Sequence, residues 1–151
     1  MDNTLEYKYF KELKNYCDKI FDELKRLDGS DNVQVLIKTA IYVYNASFAC
    51  EIGLKTIYLE SNDEYIYGHL IEKLYLKISP SIQQIIKNNM PTLQFDNNDI
   101  NYYISVINNN FAEWRYFYET KDREGIPNKM NTNLLFLYEF LNAIQTYLES
   151  C

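Results

Sequence analysis

Apolar residues at Leu5, Tyr9, Leu13, Tyr16, Ile20, Leu24 and Leu27 recur at steps of three and four, the period of one helical face. Thr4 is placed to cap this first helix, and Asp28-Gly29-Ser30 to end it. Lys8, Lys11, Lys14, Asp18, Asp22 and Lys25 lie off the stripe and read as its solvated face. The second element runs from near Asp31 to about Leu59. It is apolar over more of its circumference, through Val33, Leu36, Ile37, Ala40, Ile41, Tyr44, Phe48, Ile52, Leu54 and Ile57. A helix apolar on several faces is a central one. Its small residues Ala40, Ala46, Ser47, Ala49 and Gly53 allow neighbours to approach closely.

Ser61-Asn62-Asp63 forms a turn cluster. A third helix follows, marked by Tyr67, Leu70, Ile71, Leu74, Tyr75 and Ile78. Pro80 ends it or opens a short fourth helix that holds Ile82, Ile85 and Ile86 and stops before Pro91. Asn88 to Asn101 is polar and mostly loop. A fifth helix is expected from about Asp99 to Glu119, with Ile100, Tyr103, Ile107, Phe111, Trp114 and Tyr118 on its stripe. Thr120 to Asn133 is charged and reads as an exposed loop. Leu134, Leu137, Leu141, Ile144 and Leu148 mark the last helix. The pattern predicts an all-α, up-and-down bundle of five to six helices forming a single domain over 1–151, a length that can bury a core without staples.

Composition adjusts this picture at a few points. Fifteen basic residues against 21 acidic ones leave a net charge of −6, which disfavours non-specific nucleic-acid binding but leaves room for a local basic patch. Cys17, Cys50 and Cys151 are odd in number and lack a Cys-x-x-Cys spacing. One histidine does not support a Cys/His zinc site. Reduced thiols, a cytoplasmic setting and no cofactor or metal are therefore expected. The opening residues lack a basic start followed by an apolar run, so no signal peptide is expected. Val33 to Leu59 is interrupted by Gln34, Lys38, Asn45, Glu51 and Lys55, so no membrane span is expected either.

Three polar groups stand out against this apolar pattern. Glu51 and Lys55 are four apart on the central helix, in the favourable order for an ion pair. In so apolar a segment they read either as a buried structural pair or as part of a polar pocket. His69 is the lone histidine, near the predicted start of the third helix. It is either a general acid or base or a histidine hydrogen-bonded between helices. Arg115 and Glu119 repeat the spacing of four, with Tyr116, Phe117 and Tyr118 beside them. This group is either a charged clasp on an aromatic core stripe or a phosphate-binding fork with surfaces that stack a base. Phosphate-loop, dinucleotide, zinc-protease and serine-hydrolase motifs are absent. Cys50 reads as a small core hydrophobe, not a nucleophile.

The segments Ala49-Cys50-Glu51-Ile52-Gly53-Leu54-Lys55, Gly68-His69-Leu70-Ile71-Glu72-Lys73-Leu74-Tyr75 and Phe111-Ala112-Glu113-Trp114-Arg115-Tyr116-Phe117-Tyr118-Glu119, in that order on three helices, resemble the HEPN family of small helical domains. The resemblance spans roughly residues 30 to 148. It implies an up-and-down bundle that commonly pairs as a homodimer. Many members are metal-independent ribonucleases whose signature is an arginine, four to six intervening residues and a histidine. No histidine follows Arg26, Arg115 or Arg123 at that spacing, and His69 precedes Arg115 by 46 residues. The chain is closer to branches with a Gly-His-Leu-type motif, which are thought to bind nucleotides or partner proteins, some beside nucleotidyltransferases in toxin–antitoxin or phage-defence pairs. Carried over to this chain, the resemblance implies a ligand-binding cluster of Glu51, Lys55, His69, Arg115 and Glu119, with Tyr118 in the aromatic wall beside Arg115. Three functions follow as expectations. The first is a non-catalytic module recognising a nucleotide, RNA or partner protein. The second is a degenerate ribonuclease using His69 and Arg115. The third is a structural protein whose near-heptad first helix pairs with a copy of itself or a partner, unless that stripe covers the domain's own core.

Overall fold

A computed structural model describes residues 4–27, 32–94, 99–108 and 133–151. Within them the chain is all-helical: α1 (Leu5–Arg26), α2 (Asn32–Asn62), α3 (Ile71–Lys77), α4 (Pro80–Asn88), α5 (Ile100–Ile107) and α6 (Leu134–Ser150), with a 3₁₀ turn at Pro91–Gln94. No described helix is long and apolar enough to cross a membrane. The predicted turn at Asp28-Gly29-Ser30, the continuation of the fifth helix to Glu119 and all but the last residue of the Thr120–Asn133 loop lie outside the described residues.

Side chains define the helix starts. Thr4 Oγ1 accepts from the Tyr7 N–H at 3.3 Å, Asp99 Oδ1 from the Tyr102 N–H at 3.0 Å, and Asn133 Oδ1 from the Phe136 N–H at 2.9 Å. Each satisfies one of the orphan donors of a first turn. Pro80 opens α4 in its first turn, where its missing N–H costs nothing.

The central helix is α2, against which α1, α3 and α6 all pack. Gly53 sets the closeness of that packing. A Cβ there would lie 2.6 Å from Ile144 Cγ2 on α6 and 2.8 Å from Phe10 Cε2 on α1. Both neighbours are fully buried, so neither has room to withdraw.

This notch also turns α1 away from its predicted orientation. The residues that face the core are Tyr7, Phe10, Lys14, Cys17 and Ile20, whereas Leu5, Tyr9 and Tyr16 are exposed. Phe10, the ring that fits over Gly53, draws its own stripe inward. Lys14 travels with that stripe and is buried, contrary to its expected place on the solvated face. The rest of the core is joined by aromatic rings. Phe21 stacks on Tyr138 at 4.2 Å between centroids, and Phe136 stacks on both Tyr103 and Phe140, tying α1 and α5 to α6.

Candidate functional site

The site lies where α2 meets the segment that leads into α3. Two differences from the sequence pattern create it. First, α2 continues through Ser61 and Asn62, which were expected to be a turn. Second, α3 begins only at Ile71, so Tyr67 and His69 sit on a non-helical strap instead of on the helix. Asp63 (φ 53°) and Gly68 (φ 118°) bend the strap. Both occupy backbone regions that glycine enters freely and that an asparagine or aspartate tolerates better than other residues.

Short as it is, α3 is held at both ends. Asn108 Oδ1, from the end of α5, accepts from the Glu72 N–H at 2.8 Å. The Gln83 amide, from α4, donates to the Tyr75 and Ile78 carbonyls at 3.0 and 2.7 Å. These contacts supply partners that a seven-residue helix cannot find within itself.

The structure brings together Glu51, Lys55 and His69. Glu51 is 2% exposed. Its Oε1 accepts from Lys55 Nζ at 3.0 Å and lies 2.8 Å from His69 Nδ1. The His69 ring is anchored to α2 by this bond, and its side chain is 79% exposed. The expected Glu51–Lys55 ion pair forms, buried at Glu51 and partly exposed at Lys55. An ionised carboxylate only accepts, so Nδ1 carries the proton of this bond. The outer nitrogen, Nε2, then holds a lone pair when the ring is neutral and an N–H when it is charged. Glu51 Oε2 and Ser47 Oγ, one turn earlier, are buried without a hydrogen-bond partner among the described residues. Arg115, Tyr118 and Glu119 lie outside the described residues, so their expected convergence with this cluster is not part of the described geometry.

A pocket of about 500 Å³ opens beside His69. Ile66, Leu70 and Leu74 give it apolar walls, and Tyr67, His69, Lys73 and Lys77 add polar groups. Among the described residues no acidic side chain lines it. Lys73 and Lys77 are exposed and have no ion-pair partner among the described residues. At a spacing of four on one short helix, two ammonium groups repel one another. Neither lysine was among the expected binding residues, nor was Tyr67. The signal for the lysines was in the sequence: His69, Lys73 and Lys77 recur at steps of four.

The buried thiols take no part. Burial pushes Cys17 up to about 12, with Asp18 adding to the rise and Lys14 opposing it. Burial likewise raises Cys50. Neither thiol ionises near neutral pH, in keeping with the reading of Cys50 as a core hydrophobe. Among the described residues no group of three or more His, Cys, Asp or Glu side chains is arranged to hold a metal ion. Compared with family models, curated proteins and solved structures, the chain matches none.

Proposed function

We propose that this chain is a HEPN-like binding module that recognises a nucleotide or RNA at the pocket formed by the strap and α3. One observation carries the reading: in a protein of net charge −6, an exposed histidine braced by a buried carboxylate stands in an apolar-walled pocket beside two lysines that have no ion-pair partner among the described residues. Such a combination suits a ligand with a flat apolar part and a phosphate. The helical bundle and the position of Gly68-His69-Leu70 beside Glu51 support the family resemblance. On this reading the module works as a homodimer or beside a nucleotidyltransferase-type partner in a toxin–antitoxin or phage-defence pair, which sizing in solution and co-purification test separately. The direct test is titration of the protein with mononucleotides and short RNAs while backbone amide resonances are followed. Shifts concentrated between Ile66 and Lys77 are expected. No binding of either ligand class would refute the proposal.

The exposure of His69 and its carboxylate partner also favour a second reading, a metal-independent ribonuclease in which His69 moves protons and Arg115 holds phosphate. Metal-free cleavage of RNA by wild type, lost in folded His69→Ala and Arg115→Ala variants, would establish it. Absence of cleavage by the wild type would remove it.

A further inference from the structure

We infer that the pocket selects a phosphate monoester, as carried by a mononucleotide or a phosphorylated RNA end, over the diester linkages inside an RNA strand. The inference rests on the proposed function and narrows its ligand.

Charge supplies the first argument. Lys73 and Lys77 place two positive charges on one face of α3, and among the described residues neither has an ion-pair partner and no carboxylate lines the pocket. A monoester carries close to two negative charges near neutral pH, since its second ionisation lies at about 6. A diester carries one. The monoester therefore matches the lysine pair and relieves its internal repulsion more fully.

The second argument concerns the proton at His69. Glu51 engages Nδ1 at 2.8 Å and leaves Nε2 for the ligand. If the ring is charged, Nε2–H donates to the monoester dianion. If the ring is neutral, Nε2 accepts the P–OH proton of the monoester monoanion. Both pairings share a single proton between Nε2 and a phosphate oxygen. A diester has no P–OH and meets only the charged ring. Lys55 is the other nearby cation, and its contact is with Glu51 Oε1.

Shape supplies the third. Tyr67 is 88% exposed, beside Gly68 at φ 118°, and lines the same pocket. An aromatic face offered to solvent next to cationic groups stacks a base with little regard to its identity. A pocket of about 500 Å³ accommodates one nucleotide unit more readily than a continuous strand.

The test is calorimetric titration of the intact protein at fixed salt and pH 7. The ligands are AMP, adenosine, the dinucleoside diester ApA, and a short oligoadenylate with either a 5′-phosphate or a 5′-hydroxyl. AMP, the 5′-phosphorylated RNA or both are expected to bind about tenfold or more tightly than their matched partners without a terminal phosphate. Preference for AMP alone assigns the site to mononucleotides; preference for the phosphorylated RNA alone assigns it to RNA ends. The surface variants Lys73→Gln and Lys77→Gln, checked for unchanged circular dichroism, are expected to erase most of the preference. Equal binding within both comparisons, AMP against ApA and the 5′-phosphorylated against the 5′-hydroxyl RNA, would overturn the inference while leaving the proposed function in place. A preference that survives both lysine variants would also overturn it, by moving the selection to another site. No binding of any ligand would overturn both.

Discussion

Two buried charges lie on neighbouring helices, each in an ion pair with a residue four positions later, and they differ in what else they touch. Lys14 of α1 is 2% exposed and reaches both oxygens of Asp18 at 2.7 Å. Asp18 is partly exposed, so this clasp ends in solvent on its own helix. Glu51 of α2 is just as buried but divides its attention. One oxygen serves both Lys55 and His69, the latter 18 residues away, and the other has no partner among the described residues. The first arrangement satisfies a charge that the packing of Phe10 and Cys17 carried into the core. The second carries the influence of a core residue out to an exposed imidazole. Burial of a charge alone therefore does not separate a closed ion pair from one that reaches an exposed group; the number and direction of its contacts do.

Removing Glu51 should give the largest effect. Glu51→Ala leaves Lys55 half-buried and unpaired and deprives His69 of its anchor. A loss of about 3 kcal/mol is expected in urea denaturation. Titration of the Glu51→Gln variant, which keeps the volume, should show weaker ligand binding even where the fold is intact. Gly53→Ala comes next, because it pushes apart the helices that bear the two charges. Crowding of Phe10 and Ile144 is expected to cost about 2 kcal/mol net of the gain in helix propensity, read by the same denaturation. Lys14→Met should cost under about 1 kcal/mol, because the Asp18 left behind is solvated, and it should leave ligand binding unchanged. A large loss of binding in this variant would break the contrast between the two charges.

The thiols sharpen the comparison from the side of the closed clasp. In native protein Ellman's reagent should titrate one thiol, Cys151, while Cys17 and Cys50 react only in denaturant. The folded Cys17 stays protonated where the unfolded thiol ionises. Its share of stability is therefore full below its ordinary value of 9.0 and is lost progressively as pH rises from there to about 12. Urea midpoints measured across that window in wild type and Cys17→Ala should show a shallower fall in the variant. The smallest effect belongs to the exposed Glu23–Lys38 bridge between α1 and α2, at 2.7 Å. The hydrogen bond and charge of Lys38 hold the Glu23 carboxyl below its usual value. In Lys38→Met its midpoint, followed by NMR, should return toward that value with no measurable change in the thermal midpoint.

Much of the fold was legible because its signals are local. Thr4, Pro80 and the region of Asp99 marked helix starts, and the wide apolar surface of residues 33–59 marked the central helix. The face of α1 was legible only in part: Leu13, Ile20 and Leu24 of the expected stripe pack on the core, whereas Tyr9 and Tyr16 do not. Tyr9 and Tyr16 count as apolar in a periodicity, yet a tyrosine is content with its ring half in water. Lys14 counts as polar, yet one carboxylate a turn later suffices to bury it. What decides between the two stripes is the notch at Gly53, a property of another helix. The strap from Asp63 to Leu70 was likewise missed, because its apolar residues fit a helical period while Gly68 takes a positive φ that the period does not encode. At the site, Glu51, Lys55 and His69 were identified, and their convergence follows from the meeting of α2 with the strap. Lys73 and Lys77 were passed over because lysines four apart usually cover a solvated face; the pocket they line is a feature of the strap that their spacing does not encode.

Gly53 also bears on the order in which the molecule is assembled. The position is closed on one side by a ring from α1 and on the other by a methyl group from α6, helices separated by most of the chain. On the ribosome, α1 and α2 emerge together and can form their hairpin at once, but the α6 side of the notch stays uncovered until Ile144 is made. For that interval the growing chain displays a seam of small residues and bare helix backbone that a copy already synthesised can occupy with its own α6. The feature that lets three helices pack so closely is thus also the place where two copies would exchange their last helices.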